Sequence, residues 1–92
     1  MMNKTLADTR LDQLAMNCGF DVAVNGTLYE KTTSDRSAIY IERCSPYNQW
    51  TAWEQSWNET GRINQCLPFT QTATLNEALL DTSQYLENLP RV

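Results

Sequence analysis

Side chains able to do chemistry near neutral pH are sparse in this sequence: eleven Asp and Glu, three Cys and no His. Without histidine the commonest general base is missing, and Cys–His and Ser–His–Asp arrangements are excluded. Cys18, Cys44 and Cys66 form no C-x-x-C pair, and with no imidazole in the chain they cannot complete a four-ligand zinc site. They read as small, half-buried thiols of a reducing compartment. Three scattered glycines give neither a dinucleotide fingerprint nor a phosphate loop. A two-carboxylate site is the one catalytic option left, and isolated acids on amphipathic surfaces are ordinarily solvated. The expectation is therefore a binding protein, not an enzyme, with no catalytic residue, no metal and no cofactor.

Charge and aromatic residues carry the remaining signal. Net charge is −4, and residues 44–92 hold five acids against two bases. A general nucleic-acid binder shows a basic stripe to neutralise phosphates, so no affinity for free DNA is expected. Lys31, Arg36 and Arg43 nevertheless cluster along a single stretch of chain. Trp50, Trp53 and Trp57 fall within eight residues, with Tyr40 and Tyr47 nearby in sequence. Tryptophan, tyrosine and arginine dominate binding hot spots. The candidate binding residues are therefore Lys31, Arg36, Tyr40, Arg43 and Trp53. Reversing Arg36 and Arg43 to Glu is expected to weaken binding without unfolding the chain.

The elements that must hold these residues can be read from periodicity and turn chemistry. Thr5 and Asp8 form a helix start, and Ala7, Leu11, Leu14, Ala15 and Cys18 recur at helical spacing up to Gly19. Met16 falls on the opposite, exposed side. Phe20–Val24 alternates at period two, Asn25-Gly26 signals a hairpin, and Thr27–Thr32 returns. A register that pairs Val22 with Leu28 is preferred, because it avoids placing Asp21 opposite Glu30. Ser37–Arg43 forms a third strand, with Ile39 and Ile41 on one face and Ala38, Tyr40 and Glu42 on the other, broken at Cys44-Ser45-Pro46. Residues 48–54 read as a fourth strand, although the tryptophan spacing also fits a helix. Asn58–Thr72 reads as an irregular connection, with a short edge strand over Ile63–Phe69 at most. Thr74 and Glu77 start the last helix, with Leu75, Ala78, Leu79, Leu86 and Leu89 as its buried stripe. Thr82 interrupts that stripe, and Pro90 stops the helix. Glu77, Asp81 and Glu87 point outward.

The resulting expectation is one α+β domain spanning residues 1–92, in the order α-β-β-β-β-α. Two helices pack on one face of an antiparallel sheet of about four strands. A double-stranded-RNA-binding domain has a related order, but its final helix starts basic, whereas this one opens Thr74-Leu75-Asn76-Glu77. No segment approaches the roughly 20 apolar residues of a membrane span. Met1–Thr5 leads into no apolar signal region, so a cytoplasmic location is expected.

End to end, the chain resembles small phage-encoded anti-CRISPR proteins directed at the type I-F surveillance complex. The resemblance lies in the opening MNKTLADTRLDQLAMNCGF, the hairpin FDVAVNGTLYEK, the strand AIYIERCSPY, the segment WTAWEQSW and the helix TLNEALLDTSQYLENL. It implies a non-enzymatic inhibitor in the bacterial host cytoplasm. Such a protein binds the subunits of a crRNA-guided complex, with possible contact to the crRNA itself, and keeps target DNA out. The other class of function open to this sequence is a small phage or plasmid accessory protein. That protein would bind a different partner without guide RNA, including by acidic mimicry of nucleic acid.

Overall fold

Both helices begin where threonine side chains can take up orphaned backbone donors. The computed structural model describes residues 5–44 and 49–89. The Thr5 hydroxyl accepts the Asp8 backbone N–H at 3.0 Å and opens α1, Leu6–Asn17. Gly19, at φ +85°, then turns the chain away in the left-handed conformation. Thr74 opens α2, Leu75–Glu87: its hydroxyl accepts the Glu77 N–H at 3.2 Å and donates to the Glu77 carboxylate at 2.9 Å. Pro90, expected to stop this helix, lies outside the described residues, as do Ser45, Pro46 and Tyr47.

Between the helices run five antiparallel strands, neighbours in sequence also being neighbours in the sheet. They are β1 (Asp21–Val24), β2 (Leu28–Ser34), β3 (Ser37–Cys44), β4 (Gln49–Trp57) and β5 (Ile63–Thr72). The class is α+β as expected, with one strand more, in the order α-β-β-β-β-β-α. The Trp-rich segment is strand to its end, pairing with β3 from Cys44↔Gln49 to Ser37↔Ser56. The supposed irregular connection is a hairpin return. Asn58 Oδ1 accepts the backbone N–H groups of Thr60 at 3.0 Å and Arg62 at 3.1 Å, and Gly61 adopts φ +81°. This turn contains no Asn-Gly pair to announce it. Pro68 is tolerated in β5 because β5 is an edge strand.

The first hairpin corrects the expected register. Asp21 pairs with Glu30 and Val22 with Tyr29, and Ala23 bulges out before Val24 meets Leu28. Asp21 is exposed, so water screens the like-charge pair and its cost is small. The turn is held instead by α1. Gly26 donates its N–H to the Asp12 carboxylate at 2.8 Å, and a Cβ at Gly26 would collide with the Asp8 carboxylate.

Both helices cover the same sheet face. Tyr29, Ile39, Ile41, Trp50 and Ala52 pack there against Ala15, Phe20, Leu75, Ala78 and Leu79. The buried side of α1 is rotated from its apolar stripe: Ala7, Leu14 and Cys18 are exposed while Asp12 and Ala15 are buried. Asp12 also accepts the Tyr29 hydroxyl proton at 2.7 Å, so a polar anchor sets the helix orientation. Thr82 belongs to the buried stripe of α2, its hydroxyl donating to the Ala78 carbonyl at 2.8 Å. Asp81 does not point freely outward, because it accepts the Thr70 hydroxyl at 2.6 Å. Among the described residues no helix is long and apolar enough to cross a membrane.

Candidate functional site

Strand alternation sends half of the sheet's side chains to the face that neither helix covers. Register places Asp21, Glu30, Tyr40, Trp53 and Pro68 in one row across all five strands. Residues directly opposite share a face. Tyr40 and Trp53 stack with ring centroids 5.4 Å apart and planes inclined by 22°. The Trp53 indole N–H donates to the Gln55 side-chain oxygen at 3.3 Å. Burial, and then a hydrogen bond to the Glu30 carboxylate, push the Tyr40 hydroxyl up to about 12. The next row carries Leu28, Glu42, Thr51 and Gln71. Both aromatic rings remain half-buried, so each is held in place yet reachable.

The five residues singled out from the sequence do not form one patch. Tyr40 and Trp53 come together on the open face. Arg36 lies at the β2–β3 turn, 3.8 Å from the Glu59 carboxylate, with both side chains exposed. Lys31 and Arg43 belong to the helix-covered face. The Lys31 ammonium donates to the Cys18 carbonyl at 3.1 Å, at the end of α1, and sits 5.6 Å from the Phe20 ring centroid. That is where the helix dipole favours a cation. The Arg43 guanidinium lies 5.1 Å from the Trp50 ring centroid, and its Nε is shut off from solvent.

The anticipated basic and aromatic hairpin is therefore split by the period of two. The described strands contribute no lysine or arginine to the open face, which instead carries Asp21, Glu30 and Glu42 beside the stacked rings. Sequence reading placed Tyr40 and Glu42 on a common face. It missed Glu30 as Tyr40's neighbour, because that depends on the β2–β3 register. Of the three tryptophans, Trp50 alone enters the core, at 3% exposure. Trp57 is half-buried at the far end of β4. Comparison with family models, curated proteins and solved structures returns no match.

Proposed function

We propose that this chain is a non-enzymatic inhibitor that docks its uncovered sheet face on a protein surface of the type I-F crRNA-guided complex and keeps target DNA from binding. The observation that carries the docking face is the row Glu30, Tyr40 and Trp53 on an uncovered sheet. Rigid aromatic side chains bring large contact area at small entropic cost, and aromatic anchors at interface centres supply most binding energy. The choice of partner rests on the sequence resemblance. A complex that holds guide and target in a positively charged channel offers basic subunit surfaces, and the acidic aromatic face is complementary to them.

Guide-RNA contact is correspondingly narrowed. Lys31 and Arg43 are engaged on the helix side, which leaves Arg36 as the described base nearest to the hairpin tip. The test is capture of the purified surveillance complex by immobilised protein, with and without guide RNA in the complex. Retention of guided complex by the wild type, lost with Trp53→Ala, supports the reading. Capture of an unrelated partner with no affinity for the complex would favour the accessory-protein class.

A further inference from the structure

The two edges of the sheet are built differently. β1 is four residues long, carries Asp21 and bulges at Ala23. Short length, charge and bulges are the usual protections against edge-to-edge pairing. β5 runs for ten residues, Ile63–Thr72, without one charged side chain. Residues 63–68 are exposed, with Ile63 at 63% and Leu67 at 42%. Asn64 and Phe69 have no partner on β4, so each marks a bulge. Between them, Gln65, Cys66 and Leu67 form a regular run that ends at Pro68, which lacks an N–H.

We infer that this run is a self-association edge, pairing antiparallel with β5 of a second copy about a two-fold axis at Cys66. The neutral strand lets two chains of net charge −4 meet without opposing like charges. Gln65 of each copy then faces Leu67 of the other, and Cys66 faces Cys66. The bulges and Pro68 keep the ladder short, and the protected β1 edge cannot accept a further β5. The association therefore closes as a two-fold dimer and does not grow into a filament. Both helical layers lie on one side of the joined ten-stranded sheet. The two Tyr40–Trp53 pairs lie on the other side, borne on β4 strands that run three strand spacings, about 14 Å, apart.

The test uses the full chain with Cys18→Ser and Cys44→Ser, which leaves Cys66 as its one thiol. Sedimentation velocity should show a concentration-dependent monomer–dimer equilibrium. Oxidation with copper–phenanthroline should give covalent dimers and nothing larger, since opposed Cα atoms about 4.5–5.5 Å apart lie within disulfide reach. Leu67→Lys, or Gln65→Lys should the first variant fold poorly, should weaken dimerisation at least tenfold with an unchanged circular-dichroism spectrum. A chain that stays monomeric to about 1 mM overturns the inference. So does a dimer that neither cross-links at Cys66 nor responds to the lysine substitutions.

Discussion

At the scale of single residues, the polar side chains that hold the fold are distinct from those offered for binding. Asp12 ties α1 to the first hairpin through the Gly26 N–H and the Tyr29 hydroxyl. Asp12→Ala leaves both donors buried without that acceptor and should destabilise the protein by about 2–4 kcal/mol in denaturant unfolding. Tyr29→Phe should cost less, about 1–2 kcal/mol, because the Gly26 bond survives. The tyrosines report on the same structure. Burial raises Tyr29, Tyr40 and Tyr85 above the ordinary phenol range, with Asp12, Glu30 and Glu54 as their respective carboxylate partners. The unfolded chain ionises these groups near pH 10, whereas folded Tyr40 and Tyr85 hold their protons to about 12. Their contribution is fully present below pH 10 and lost as the pH rises towards 12. Absorbance titration at alkaline pH should show delayed ionisation together with falling stability across that window. Arg43→Glu would set a carboxylate against the Trp50 ring. It should therefore lower the melting temperature, and not simply weaken binding as expected from sequence.

At the scale of elements, local chemistry was legible and long-range register was not. Thr5, Gly19, Thr74 and Glu77 mark helix ends through contacts within four residues, and each reads directly from the chain. Which side of α1 is buried depends on Asp12 meeting a hairpin fourteen residues away, and apolar periodicity carries no trace of that contact. β5 was hidden for a similar reason. Its turn is closed by the Asn58 carboxamide, and its residues are too exposed and uncharged to show a clean alternation. The candidate site was half legible: alternation puts Tyr40 on the face opposite Ile39 and Ile41, but Lys31 and Arg43 were grouped with Tyr40 by sequence proximity, whereas the strands carry both bases on the helix-covered face. Gly26 offers a test of the helix–hairpin junction. Gly26→Ala combines φ +68° with a collision against Asp8, and should cost more than the roughly 1 kcal/mol of left-handed strain alone. A loss of less than that in thermal unfolding would mean that the turn can move away from α1.

At the scale of the whole molecule, two helices seal one side of the sheet and leave the other as a shallow acidic surface with a rigid aromatic centre. A protein that works by occupying a surface should inhibit stoichiometrically. The amount required should follow the concentration of the surveillance complex, without turnover and without loss on adding EDTA. Attraction between the acidic face and a basic partner should make association slower as salt is raised. Binding to random duplex DNA should be absent at micromolar concentration, given the net charge of −4. The most direct measurement is target-DNA binding by the surveillance complex, titrated with wild-type protein and with the Tyr40→Ala/Trp53→Ala variant. The variant must first be shown to match the wild-type circular-dichroism spectrum; if it does not, Glu30→Lys/Glu42→Lys serves in its place. Loss of the aromatic anchors should raise the inhibitory concentration roughly 30- to 1,000-fold, corresponding to about 2–4 kcal/mol of binding energy. Inhibition by a folded variant at wild-type concentrations would contradict the assignment of the open face as the docking surface.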